Sequence, residues 1–242
     1  MRLIQLSDLH LSADPEAGYR GVHARRHCEA VVADIRHQHP DLVLVTGDVS
    51  EDGSVASYRL AASCLDRLGC DWEWLPGNHD ERTAMVQVRP LPERLVIEGW
   101  QLLLLDTLVP GDTGGRVGPA ALERLSERLV ADSRPTLIAM HHPPVPVNSA
   151  WMDAAGLADR DEFWQRLALF DQVRAVLAGH VHHVFETCHR QVSVETVPAV
   201  SRQFVAASAE FALDEAARPG YRVIELADSG ALQSRVIRVN TA

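Results

Sequence analysis

Basic charge is what this sequence lacks most. Its 23 Lys and Arg face 33 Asp and Glu, a net charge of −10 at pH 7. A protein that coats nucleic acid needs a basic face to displace counterions from the phosphate backbone, so that partner is excluded. A small phosphorylated substrate is not excluded, because bound cations invert the local field. Long apolar runs are missing too: none approaches the roughly 20 residues of a membrane span. Met1 to Asp8 carries no apolar stretch of signal-peptide length, so a cytoplasmic protein is expected. The four cysteines have no CxxC spacing, which excludes a zinc ribbon and a thioredoxin-like motif. Cys28, Cys64 and Cys70 read as small buried residues of helices or strand edges, and free thiols suit a reducing compartment. No linker, repeat or low-complexity segment interrupts the chain, so residues 1–242 are expected to form one domain.

Apolar residues make up 46% of the chain, enough for a sizeable core, and their spacing alternates between two periods. Leu3 to Leu6 reads as a first strand. Ala24, Cys28, Val31 and Ile35 form one face of a helix that Pro40 stops. Leu42 to Val45 is a strand covered on both sides. Leu60, Ala61, Cys64, Leu65 and Leu68 form a second helical stripe ended by Gly69, and a strand follows at Asp71 to Leu75. Arg94 to Ile97 and Trp100 to Leu105 make a hairpin. Gly118-Pro119 opens a third helix, buried along Leu122, Leu125 and Leu129. Leu137 to Met140 and Ala175 to Leu177 are further buried strands, with a short helix around Asp161 to Leu169 between them. Beyond His183 the pattern is strands alone: Val184 to Cys188, Val192 to Val197, Gln203 to Ala207, Tyr221 to Leu226 and Leu232 to Val239. The expected architecture is α/β: two stacked sheets with helices on their outer faces.

Twelve histidines are present, and several of them sort by position. Asp8 and His10 follow the first strand, Gly47-Asp48 the second, and Gly77-Asn78-His79-Asp80 the third. His141 and His142 follow Leu137 to Met140, and Gly179-His180-Val181-His182 follows Ala175 to Leu177. In open α/β sheets the carboxyl ends of strands are where ligands bind. Asp, His and Asn offer oxygen and nitrogen without thiolate, a donor set suited to iron, manganese or zinc. Such a set, with Asp8, His10, Asp48, Asn78, His141, His180 and His182 as the seven candidate ligands, exceeds what one ion needs, whereas two ions sharing a carboxylate fit the number and suit in-line displacement at phosphorus. The glycines before Asp48, Asn78 and His180 are expected to permit the tight turns that aim these side chains inward.

Together, Asp8-x-His10, Gly47-Asp48, Gly77-Asn78-His79-Asp80, His141 and Gly179-His180-x-His182 resemble the complete signature of the calcineurin-like metallophosphoesterases. The resemblance runs nearly end to end. Within the family it leans toward the bacterial class III 3′,5′-cyclic-AMP phosphodiesterases, through Trp74 to Asp80, Ser149 to Asp153 and Pro219 to Arg222. It implies a four-layer αββα sandwich. It implies one metal on Asp8, His10, Asp48 and His182, and a second on Asp48, Asn78, His141 and His180, with Asp48 bridging. Iron or manganese comes first and zinc second. His10, Asp48, Asn78, His79 and His182 would surround the substrate phosphate, and His79 would assist the leaving group without binding metal. The implied reaction is hydrolysis of a cyclic nucleotide, cAMP to 5′-AMP. The alternative is a broader phosphodiesterase acting on glycerophosphodiesters, 2′,3′-cyclic nucleotides or other phosphoesters.

The remaining residues carry plainer expectations. Asp80 should orient its loop or cap the following helix. His142 should be a supporting or exposed residue rather than a substrate contact, and His183 and His189 should lie on strand surfaces. His23, His27, His37 and His39 belong to a polar helix face or its end, and Arg25 and Arg26 to a solvated face. Trp151 is either packing or a surface for a base.

Overall fold

Along the second strand the side chains divide by parity. Leu42 and Leu44 join one apolar cluster and Val43 and Val45 another, as the two-residue repeat of a pleated strand requires. The computed structural model describes residues 1–241, and Ala242, the last residue of the expected domain, lies outside them. The elements are β1 (Arg2–Leu6), α1 (Ala24–Arg36), β2 (Leu42–Thr46), α2 (Val55–Leu65), β3 (Asp71–Leu75), α3 (Arg82–Met85), β4 (Arg94–Ile97), β5 (Trp100–Leu104) and α4 (Pro119–Ala131). They continue with β6 (Thr136–Ala139), α5 (Ala150–Asp153), α6 (Arg160–Leu167), β7 (Val173–Ala178), β8 (Glu186–His189), β9 (Val192–Thr196), β10 (Gln203–Phe204), β11 (Leu213–Asp214), β12 (Gly220–Leu226) and β13 (Leu232–Arg238).

Two sheets face each other. One has five strands in the order β13-β12-β1-β2-β3 and the other six in the order β4-β5-β6-β7-β9-β8. Leu3, Leu42, Leu44 and Ile224 of the first pack against Leu102, Leu137, Ala175 and Leu177 of the second. The opposite face of the five-stranded sheet is covered by α1 and α2 through Cys28, Val31, Ile35, Ala61 and Leu65. That of the six-stranded sheet is covered by α4 and α6 through Leu122, Leu125, Phe163 and Leu167. The order is therefore α, β, β, α, the four-layer sandwich expected from the sequence.

Polar pins cross between the layers. Gln5 Nε2 of β1 donates to the Ala178 carbonyl of β7 at 2.9 Å. The Arg222 guanidinium of β12 is fully buried and reaches Glu195 of β9 at 2.9 Å, while also donating to the Thr196 carbonyl. β1, β2 and β3 are mutually parallel, as are β5, β6 and β7. Every segment leaving a parallel strand of one sheet thus emerges at the same edge.

Several local expectations need correction. The strand expected over Gln203 to Ala207 is only β10, because the chain turns after Phe204 and returns to pair with Leu213–Asp214. β8 begins at Glu186, two residues later than expected, since residues 179–185 are taken up by the loop carrying His180 and His182. His183 belongs to that loop and is buried, not a strand-surface residue. His189 does lie on β8, half-buried, with its ring stacked on Trp164 at 4.2 Å.

Candidate metal centre and active site

Five loops at the carboxyl edge of the two sheets bring Asp8, His10, Asp48, Asn78, His141, His180 and His182 together. Asp8, His10, Asp48 and His182 are all buried, with ligand atoms within 4.8 Å of one another. The backbone there is strained in a consistent way. Asp8, His10, Asp48, His180 and His182 all have positive φ, between 49° and 71°. Such conformations cost non-glycine residues about 1–3 kcal/mol each and persist where the surroundings over-determine them. The strained backbone is held by Asp8 N–H to Gly47 O at 3.0 Å and His10 N–H to Asp48 O at 3.0 Å.

The preceding glycines serve a different purpose from the one expected. Gly47 does turn, with φ +95°, but Gly77 and Gly179 do not need a positive φ. Their role is close approach. A Cβ on Gly77 would collide with the Asp48 carboxylate, and one on Gly179 with the Ser7 hydroxyl.

Second partners fix the ring nitrogens. His141 Nδ1 donates to the Thr46 carbonyl at 2.7 Å, and His182 Nδ1 to the Arg202 carbonyl at 2.6 Å. His10 Nδ1 donates to Glu51 Oε2 at 2.8 Å. In the neutral rings each Nε2 is then a lone pair. Those lone pairs meet other acceptors: His141 Nε2 lies 3.4 Å from Asp48 Oδ2 and 3.2 Å from Asn78 Oδ1. His182 Nε2 lies 3.3 Å from Asp8 Oδ1. His180 Nδ1 is 3.0 Å from Asn78 Oδ1, while its Nε2 is buried without a partner among the described residues. Acceptors converging on acceptors in a buried site fit a cation, and the nitrogen and oxygen donors match the metals named above.

In the metal-free chain a proton on His141 stands in for the cation: burial would raise the Asp48 carboxyl, but the charge and hydrogen bond of His141 hold it well below the usual carboxylate range, and Asp8 is lowered by His182. Burial, with the charge on His141, pushes His180 down to about 3, leaving a neutral ring suited to ligation.

His79 is placed by its main chain: its N–H donates to Asp48 Oδ1 at 2.9 Å. Its Nδ1 meets Glu51 Oε2 at 3.1 Å, so Glu51 links His79 to His10. Asp80 orients its loop, as expected, and caps nothing. Its carboxylate accepts from the N–H groups of Gly77, Val49 and Ser50 and from the Tyr58 hydroxyl. The cap of α3 is Glu81, which accepts from Thr83 N–H. His142 is a buried support, not an exposed residue: Nδ1 pairs with the Thr107 hydroxyl at 2.8 Å and Nε2 with the Thr113 carbonyl at 3.1 Å. Both its nitrogens are engaged while its ring leans on His180 at 4.5 Å. Arg25 and Arg26 stay outside the site, paired with Glu29 and Glu16.

A cavity of about 270 Å³ opens on this cluster, lined by Asp48, Asn78, His79, His180 and His182 and also by Trp151, Tyr19, Arg20, Phe204 and Phe211. Sequence reasoning missed Glu51 and the last four. Glu51 was findable as a carboxylate three residues after Asp48. Tyr19 stacks on His10 at 4.0 Å from farther along the same β1–α1 loop, and no periodicity marks it.

A family model described as calcineurin-like phosphoesterase matches residues 1–184. The chain is 37% identical over 248 residues to a 3′,5′-cyclic adenosine monophosphate phosphodiesterase of Vibrio vulnificus, covering 99% of this chain and 90% of that one. It is 36% identical over 247 residues to a probable cyclic nucleotide phosphodiesterase of a Synechococcus strain, covering 100% and 93%. Among solved structures it is similar to a dimetal phosphatase from Danio rerio, with a TM-score of 0.70 at 14% identity over 99% of each chain, a likeness of fold alone.

Proposed function

Because this chain belongs to the calcineurin-like phosphoesterase family, we propose that it hydrolyses 3′,5′-cyclic nucleotides on a two-metal centre, taking cAMP to 5′-AMP. The observation that carries the reading is the buried convergence of Asp8, His10, Asp48 and His182 beside Asn78, His141 and His180, lone pair against lone pair. In our assignment Asp8, His10, Asp48 and His182 would hold one ion and Asp48, Asn78, His141 and His180 the other, with Asp48 common to both sets. Iron and manganese are our first choices, and zinc is compatible with the same donors. Held there, two ions would supply charge to neutralise the non-bridging phosphate oxygens and a water activated for attack.

The protein's own groups do the rest. In our reading Asn78 and His182, which line the cavity, and His10 beneath them would surround the substrate phosphate. In the hydrolysis of cAMP the bond from phosphorus to O3′ breaks, and O3′ must gain a proton. We assign that proton to His79. Burial would lower its imidazole, but the hydrogen bond to Glu51 and the charges of Asp48 and Glu51 raise it, favouring the protonated ring. With Nδ1 taken by Glu51, Nε2 is the nitrogen left to deliver the proton. Asp48 would act twice: as a ligand common to both ions and as the acceptor that fixes the His79 main chain. The four cysteines are unpaired, which suits a reducing compartment, and we place the enzyme in the cytoplasm on that ground. Among the described residues no helix is long and apolar enough to cross a membrane.

The test is a phosphoester panel on metal-reconstituted enzyme, comparing kcat/KM. The reading expects cAMP to be turned over to 5′-AMP and to rank above glycerophosphodiesters and 2′,3′-cyclic nucleotides. Absence of cAMP turnover where bis-aryl phosphodiesters are cleaved well would replace it with the broader phosphodiesterase.

A further inference from the structure

The cavity above the metal-competent cluster has two unlike walls. One carries the carboxylate and imidazoles already described. The other is aromatic and has no part in the bond-breaking steps. Phe204 lies flat on His182, with centroids 4.0 Å apart and 8° between planes. Phe211 stands edge-on to Phe204 at 5.3 Å, and Trp151 stands edge-on to both. Phe211 is 45% exposed and is the one aromatic among the exposed large apolar side chains of the described residues. Fold stability gains little from a phenyl ring left half in water.

A flat cation covers this ring. The Arg20 guanidinium carbon lies 4.7 Å from the Phe211 centroid and 5.7 Å from that of Phe204. Arg20 enters none of the ion pairs found among the described residues; its Nε donates to the Tyr19 hydroxyl at 3.0 Å. A guanidinium resting on a half-exposed ring, with no carboxylate to hold it, is readily displaced by another planar group.

We propose that Phe211 and Arg20 form the nucleobase subsite: the base stacks on Phe211, and the guanidinium shifts from the ring onto the outer face of the base. The inference rests on the cyclic-nucleotide reading. In a 3′,5′-cyclic nucleotide the ribose is fused to the phosphate ring, so the base has little freedom relative to phosphorus beyond rotation about its glycosidic bond. With the phosphate against the metal-binding wall, the base falls on the aromatic one, because both walls bound the same 270 Å³ space. Stacking reads a π-face rather than an edge pattern, so the subsite favours purines by area and tolerates guanine beside adenine.

The test compares 5′-AMP with ribose 5-phosphate as inhibitors of the metal-reconstituted enzyme, alongside cAMP kinetics. Wild type should bind 5′-AMP about tenfold more tightly than ribose 5-phosphate, the lower part of the range for one base–aromatic stack. Phe211→Leu keeps an apolar side chain without a ring; it should abolish that preference, leave ribose 5-phosphate unchanged, and raise KM for cAMP with kcat within about twofold. Phe211→Trp should retain the preference. If wild type turns over cAMP but Phe211→Leu leaves the inhibitor ratio intact, or weakens both inhibitors alike, the subsite is wrong and the activity stands. If wild type turns over no cyclic nucleotide, the reading beneath it fails, and the subsite with it.

Discussion

His10 and His182 point their Nε2 atoms at each other across 3.2 Å, with no proton for either to donate while both rings are neutral. Their Nδ1 protons are spent on Glu51 and on the Arg202 carbonyl. Two lone pairs at that distance repel unless a cation lies near both. Asp48 Oδ2 is 3.6 Å from His10 Nε2 and 3.4 Å from His141 Nε2, so one carboxylate lies against an imidazole of each proposed metal site. Metal analysis of the wild-type protein should find two ions per chain. Asp48→Asn should lose more than one ion's worth of affinity and nearly all activity. Asn is the informative variant, because it tolerates the positive φ of 49° at this position and so isolates the lost charge from backbone strain. At most one ion in active, folded wild type would end the two-metal scheme.

Without metal, a proton takes its place. Burial pulls the His141 imidazole down, but the charge and hydrogen bond of Asp48 outweigh it and hold it up at about 9, against an ordinary 6.5. The folded chain therefore binds this proton more tightly than the unfolded chain does. Its stabilisation is fully present below pH 6.5 and is lost as pH rises through 9. The Tm of metal-stripped protein should fall across that window. Metal-loaded protein, in which the ion has displaced the proton, should show no such fall. A stripped protein whose Tm stays level from pH 6.5 to 9 would contradict the argument.

Glu51 is a shared outer support, and its loss should be felt at two places. Burial would raise its carboxyl, but hydrogen bonds from His10 and His79 hold it at about 2. Glu51→Gln keeps the shape and removes the charge that fixes the His10 tautomer. Outer supports of this kind are worth roughly 10–100-fold in metal affinity. Titration calorimetry should show that weakening for the ion on His10 and little change for the other. Saturating metal should restore occupancy but not the full rate, because His79 also loses its partner. Complete recovery of rate at saturating metal would limit Glu51 to the metal.

Arg222 tests the sandwich itself. It is fully buried and pairs with Glu195, which is 5% exposed, across the two sheets. Arg222→Leu would leave that carboxylate buried and unpaired, a loss of about 3–5 kcal/mol in a urea melt. The double change with Glu195→Leu should recover a large part of it, and equal losses in single and double variants would argue against the pair.

The strand positions were legible because buried strands are short and apolar, and the ligands because each directly follows one. Leu42 to Val45 and Gly47-Asp48 lie next to each other in the chain, so pattern and chemistry reinforced one another. Phe204 and Phe211 were not legible as a pair. They meet only because the chain turns after β10 and returns as β11, a two-residue ladder too short for any period to show. His183 failed for a related reason: its burial comes from the path of a loop, which carries no periodicity. Gly77 and Gly179 were recognised as required, but the crowding that requires them involves Asp48 and Ser7, residues distant in sequence.

The role of His79 can be separated from mere positioning. Its main chain is pinned by Asp48 and its Nδ1 by Glu51, so its imidazole is presented to the cavity at small entropic cost. A ribose alkoxide is a poor leaving group and needs a proton as its bond to phosphorus breaks, whereas nitrophenolate departs readily without one. General-acid help is typically worth about 10²–10⁴-fold. His79→Ala should therefore keep both metals and lose rate on cAMP far more than on a nitrophenyl phosphodiester. The main-chain N–H survives this substitution, so the bond to Asp48 and the loop it anchors should persist. If His79 only binds the phosphate or steadies the loop, both substrates suffer alike. Equal losses with unchanged metal content would leave it a positioning residue, whereas a large difference between leaving groups assigns the proton to its Nε2.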